Sequence, residues 1–308
     1  MTSEKKLTLK RIIIYCILSF VPLTLMTVIL NIANGGPIFG GSMLDLPPLV
    51  SLFASLGMLF PAIANTLTRI ITKEGFKNSY LCLNFKGNLK YYLSSILVPL
   101  GYAVIESMAV IFLFAPEMSI GGKINSDNLL LGLAAISQQA ATAIMLYIPF
   151  FGEEFGWRAY LTPKMTELLP EPLAVFVSGI IWGLWHAPLT ASGHNFGLDY
   201  PFFPWLGIGF MCIFCASLSA FLTLLTKRTG SVFPACIAHG VNNQAGAGII
   251  LTLICSEKFV ENIGSVDIIT SSLIMFSPAV IVGIISYLIL ISDYKKSKKN
   301  ISSKLEQV

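Results

Sequence analysis

The sequence predicts an all-α membrane protein: a polytopic bundle of about eight transmembrane helices, forming a single integral membrane domain over residues 1–308. Three observations carry that expectation. Hydrophobic residues fill 55% of the chain and charged residues only 12%, about half the charge share of a soluble domain. The apolar residues come in long runs rather than in the short alternation of strands. The basic residues then fall in every second segment between those runs, as the positive-inside rule requires of a chain that crosses repeatedly.

A bilayer core takes about 20 apolar residues per helix. Eight runs of about that length are expected as spans: residues 11–34, 48–72, 91–116, 133–160, 171–189, 204–226, 231–254 and 267–292. The first follows Lys5, Lys6, Lys10 and Arg11 as a signal peptide would, but its apolar run is too long and no A-x-A site follows, so it reads as an uncleaved anchor. The loop Asn34–Pro48 is rich in Gly and Pro and has no basic residue, as an external turn should. The basic stretch after Tyr294 (YKKSKKN) reads as a flank on an anionic leaflet rather than as a nucleic-acid contact. Of the 20 basic residues, 18 fall on one side and only Lys123 and Lys258 on the other. Both termini are therefore expected in the cytoplasm.

Six cysteines are spread along the chain, and Cys212-x-x-Cys215 lies inside a predicted span, where two small packing residues are expected rather than a redox or metal pair. Polar groups at membrane depth are costly, so each is a functional hypothesis. They are Glu106, Gln138, Gln139, Glu153, Glu154, Arg158, His186, His239, Asn242, Asn243 and Gln244. Glu106 is expected to be a buried hydrogen-bonded residue, with substrate binding as the alternative.

Three short motifs stand out. In FGEEFGWR, Glu154 and Arg158 are four residues apart and share a helix face. Glu153 is turned about 100° from that face, so the two carboxylates can do different work. In SGIIWGLWHAPL, Trp182 can pack on the imidazole of His186, Pro188 ends or kinks the helix, and Trp185 is expected as an interfacial anchor. In PACIAHGVNNQ, His239 and Asn243 stand on one helical face. Glu, His, His and Asn on three separate spans imply helices converging on a polar cavity. Counted at 1.5 Å per residue from the basic end, Glu153 lies about 15 Å deep, His239 about 12 Å and His186 about 22 Å. The depths suggest a site opening towards the cytoplasm, with His186 out of line.

E-E-x-x-x-R at Glu153, Glu154 and Arg158, aromatic-x-x-x-His at Trp182 and His186, and His-x-x-x-Asn at His239 and Asn243 resemble the three motifs of the CPBP family. That family comprises the CAAX prenyl endopeptidases of Rce1 type and the bacteriocin-processing (Abi) intramembrane proteases. Trp182 stands where Phe is commoner, and the likeness spans about residues 150–245, the expected catalytic core. The resemblance implies that Glu153 and His186 activate a water and that His239 and Asn243 hold the oxyanion, with Glu154, Arg158 and Trp182 in support. The family is described both as metalloproteases and as glutamate-dependent proteases. No cofactor is the favoured reading, because no H-E-x-x-H occurs and Asn243 is a poor zinc ligand. Zinc held by Glu153, His186 and His239 is the alternative. The expected partners are a peptide or protein substrate at the membrane and the bilayer itself, with no nucleic acid. The rivals are a non-catalytic immunity or scaffold protein of the same fold and a transporter using Glu106 and Glu153; repeated halves, which transporters usually show, are absent.

Overall fold

The computed structural model describes residues 2–39, 48–114, 147–244 and 266–305. All regular elements among them are helices: α1 (Ser3–Asn34), α2 (Pro48–Gly57), α3 (Phe60–Ile71), α4 (Leu89–Phe114), α5 (Tyr147–Gly156), α6 (Thr162–Thr166), α7 (Glu171–Trp185), α8 (Ala187–Thr190), α9 (Trp205–Thr229), α10 (Phe233–Gln244) and α11 (Ile268–Leu305). Five stretches are long and apolar enough to cross a membrane: α1, α4, α7 with α8, α9 and α11. The chain is a polytopic helical membrane protein.

The remaining expected spans differ in instructive ways. Span 48–72 is two helices, because Pro61 near the start of α3 has no N–H to bond and its ring would clash with the carbonyl of Gly57. Residues 133–146 and 245–254, parts of the fourth and seventh expected spans, lie outside the described residues, as do Gln138, Gln139 and Cys255. Pro188 breaks the fifth span as expected, with His186 at the joint between α7 and α8. The last span does not stop at residue 292: α11 is 38 residues long and carries the basic stretch as further helix, capped at its start by Asp267 Oδ1 on the N–H groups of Ile269 and Thr270.

Two glycine pairs set how closely the helices approach. On α5, a Cβ at Gly152 would stand 2.6 Å from the Met58 carbonyl oxygen, and one at Gly156 would stand 2.3 Å from Pro61 Cβ and 2.6 Å from Tyr15 Oη. On α7, a Cβ at Gly179 would stand 2.5 Å from Ala216 Cα, and one at Gly183 would stand 2.5 Å from Cys212 Cα. These are small-xxx-small contacts, in which bare backbone lets two membrane helices touch. The C-x-x-C of α9 is explained by the second pair: Cys212 lies under Gly183, and Cys215 is fully buried as a free thiol.

Charged side chains gather at one end of the bundle. Glu74 takes Arg11 at 3.2 Å and Lys164 at 2.7 Å, joining the start of α1, the end of α3 and α6. Burial works to raise the Glu74 carboxyl, and the bond from Lys164 with the charge of Arg11 overrides it, leaving the group below its ordinary value. Lys227 meets Glu171 at 2.7 Å and Arg228 meets Asp293 at 2.6 Å. At the opposite end, Asn31 donates to Ser192 Oγ at 2.8 Å and the Phe39 N–H to the Ser192 carbonyl at 3.0 Å.

Adding one methyl at the close contacts should therefore destabilise the fold. Gly156→Ala and Gly183→Ala are each expected to cost about 1–3 kcal/mol, read as a lower melting temperature of the purified protein in detergent. Gly209→Ala, whose Cβ would meet nothing within 4 Å, is expected to leave melting unchanged; three indistinguishable curves would refute the packing role.

Candidate active site

The helix carrying the two carboxylates does not continue regularly. Trp157–Leu161 forms a π-helical turn, in which the Thr162 N–H reaches back to the Trp157 carbonyl. Single π turns cluster at functional sites because they open the backbone bond ladder. Two carbonyls there turn to side chains of α3: Asn65 Nδ2 donates to the Phe155 oxygen at 2.7 Å and Arg69 Nη2 to the Ala159 oxygen at 3.4 Å. Arg69 Nε also donates to Asn65 Oδ1 at 2.7 Å. The close approach at Gly152 and Gly156 brings α3 within reach.

The site residues then converge. Glu154 lies between two partners: Arg158 Nε stands 3.1 Å from its Oε2, both side chains fully buried, and His239 Nδ1 stands 2.9 Å from its Oε1. The pair with Arg158 is a contact of charges rather than an aligned hydrogen bond, and among the described residues no acceptor takes the Arg158 N–H groups. The guanidinium instead lies over the Trp182 ring, 4.3 Å from its centroid, a favourable site for a desolvated cation. Glu153, turned to the other face, accepts from Trp182 Nε1 at 2.7 Å. The Trp182 ring also meets His239 edge-on at 5.3 Å and His186 at 6.0 Å. His186 Nδ1 lies 2.9 Å from the carbonyl of Trp182, one turn back. Asn243 Nδ2 stands 3.3 Å from His239 Nε2.

Glu153, Trp182, His186, His239 and Asn243 all line one cavity of about 590 Å³. Glu106 and Tyr102 of α4 line it too. Glu106 is buried against this wall and has no ion-pair partner among the described residues. Phe39 and His194 close the far side. These two belong to the end of the bundle opposite the charged belt, so the cavity runs from the polar cluster away from the basic end. Trp182 reaches Glu153, and His186 lies one turn further along the same wall of the cavity. Burial holds the His194 imidazole down to about 4, so this wall is neutral at ordinary pH.

Two further expectations change. Trp185 is not an interfacial anchor; it is buried, donates Nε1 to the Ser19 carbonyl at 3.1 Å and packs edge-on against Trp157 and His186. Arg69 and Arg158, counted in the flanking positive charge, are both buried. Among the described residues, no three His, Cys, Asp or Glu side chains form a group of metal-ligand geometry, and Glu153, His186 and His239 do not. Asn65, Arg69 and Tyr102 were missed by the motifs. Asn65 and Arg69 carry the same four-residue spacing that exposed the other pairs, inside an otherwise apolar run.

Residues 136–245 match the family model described as Type II CAAX prenyl endopeptidase Rce1-like. The chain is also 24% identical over 225 residues to a protein of Methanococcus maripaludis named CAAX prenyl protease 2, covering 71% of this chain and 79% of that one. The matched family region contains all three motifs.

The burial of Glu154 makes it a structural partner of Arg158 whatever its chemical use. Glu154→Ala leaves an unbalanced buried cation and is expected to cost about 3–5 kcal/mol of stability, measured by thermal unfolding in detergent. Equal melting of Glu154→Ala and wild type would show that Arg158 does not depend on it.

Proposed function

We infer that this chain, a member of the CPBP family through its Rce1-like region, is an intramembrane endopeptidase that cleaves a peptide bond with a water activated by Glu153 and His186. The observation that carries this reading is the meeting of Glu153, His186, His239 and Asn243, from three separate helical segments, on one cavity.

The hydrogen bonds support one division of the work. One oxygen of Glu153 is held by the Trp182 indole N–H, leaving the other to take a proton from water. His186, with Nδ1 turned to the Trp182 carbonyl, has Nε2 left to accept the water's second O–H. The polarised water attacks the scissile carbonyl carbon, and the carbonyl π electrons move onto oxygen. Asn243 Nδ2 and His239 donate to that oxyanion, His239 through Nε2–H with both ring nitrogens protonated, because its Nδ1–H is donated to Glu154. The proton taken by Glu153 passes to the leaving amine as the tetrahedral intermediate collapses. Preorganised donors of this kind contribute about 3–4 kcal/mol each to the transition state. Glu153 is the general base because a carboxylate in a dry site is matched to that task.

The name of the Methanococcus relative makes a prenylated C-terminal CAAX segment the first substrate to test. A Phe and Met wall of Phe196, Met211, Phe214 and Met275 along the cavity suits an apolar chain. The termini are assigned to the cytoplasm on the strength of the basic bias.

Cleavage of a quenched peptide by the purified protein is expected to fall by at least a hundredfold in Glu153→Ala and in His239→Ala, and to be unchanged by a chelator in the wild type. Equal cleavage by all three proteins would sink the protease reading; loss on chelation would restore zinc. For topology, Cys82 is exposed in the segment that carries Lys77 and Lys86. In a protein with its other cysteines replaced, an impermeant maleimide is expected to label Cys82 only after cells are opened. Labelling of intact cells would reverse the orientation.

A further inference from the structure

The oxyanion donor Asn243 does not stand alone. Tyr102, on α4 and outside residues 136–245, donates its hydroxyl proton to Asn242 Oδ1. Asn242 Nδ2 donates to Asn243 Oδ1 at 2.8 Å, and Asn243 Nδ2 faces His239 Nε2 at 3.3 Å. Tyr102 is buried and lines the same cavity.

We propose that Tyr102 is a positioning residue: acting through Asn242, it fixes the Asn243 amide with its N–H, not its oxygen, towards the reacting carbonyl. This rests on the endopeptidase reading above. A side-chain amide is nearly symmetric in shape, with donors on one side and an acceptor on the other. Its direction is set only by its neighbours. Asn242 and Asn243 are each such an amide, so the sense of the chain must be set at an end. At the inner end His239 Nε2 meets the amide as acceptor or donor according to its tautomer, so it does not by itself set the amide's sense. At the outer end is a hydroxyl with one proton, whose acceptor among the described residues is Asn242 Oδ1. Reversing the two amides would turn that proton away from its acceptor in a buried place. It would also present the Asn243 oxygen to a developing oxyanion, replacing attraction by repulsion.

Tyr102→Phe keeps the ring and removes the proton. With a quenched peptide and the full-length protein, kcat is expected to fall about tenfold with KM unchanged, a part of the 10²–10³ lost when an oxyanion donor is removed outright. In an Asn243→Ala background, Tyr102→Phe should add less than about twofold, because residues acting through one another are not additive. A packing role would multiply undiminished. A second readout needs no activity. The chain has 3 histidines, so ring-¹⁵N-histidine labelling gives three assignable imidazoles. The His239 signal is expected to move in Tyr102→Phe while that of His194 stays. Wild-type kcat in Tyr102→Phe, full multiplication with Asn243→Ala, or an unmoved His239 signal would each overturn the proposal. A wild type that cleaves nothing would remove the endopeptidase reading, and the His239 signal would still decide the relay.

Discussion

Glu154 has no contact with solvent, and its charge has to be met inside the protein. It is met twice, by Arg158 one turn along the same helix and by His239 from α10. Removing a carboxylate from water is costly unless partners replace its hydration, so this group ties two segments that are 85 positions apart. Arg158 in turn has to be housed, and the face of Trp182 houses it. Trp182 then has its indole N–H directed at Glu153. The position of Glu153 thus follows, through an arginine and an indole, from the burial of the neighbouring carboxylate. The two adjacent glutamates are not duplicates; one is committed to the interior and the other to the cavity.

Such a cluster can only close if backbones come near one another, and bare glycine is what permits it. Gly152 and Gly156 bring α5 against the broken joint of α2 and α3, which places Asn65 and Arg69 on the freed carbonyls of the π turn. Gly179 and Gly183 bring α7 against α9, which fixes the height at which Trp182 and His186 enter. Packing and polar satisfaction are here one constraint: a side chain at any of these glycines would push away the groups that answer a buried polar atom.

Much of this was legible in the sequence. Hydropathy exposed the membrane class, since five of the described stretches are long apolar helices. Four-residue spacing exposed Glu154 with Arg158 and His239 with Asn243, because those contacts are local or nearly so. What stayed hidden depended on distance in the chain. The Trp182 N–H on Glu153 joins residues 29 apart, and Glu154 meets His239 across 85; no spacing rule reaches that far. Trp185 looked like an interfacial anchor because tryptophan favours that place, and only the carbonyl of Ser19 on α1, 166 positions away, explains its burial. The π turn left no mark either, since it is a response to partners on α3 rather than a preference of WRAYL.

That turn has a geometric consequence. A π turn is an α-helix with one residue inserted, so it advances the helix phase by about 100°. Glu153 and Glu154 precede the five-residue π turn and Lys164 follows it. The carboxylates face the protein interior while Lys164 reaches the charged belt, and the angle between these two directions is set by a single residue of extra length. The register of the site is therefore an integer quantity: loss of one position between 157 and 161 would restore a regular helix and rotate every later side chain by that angle relative to the carboxylates.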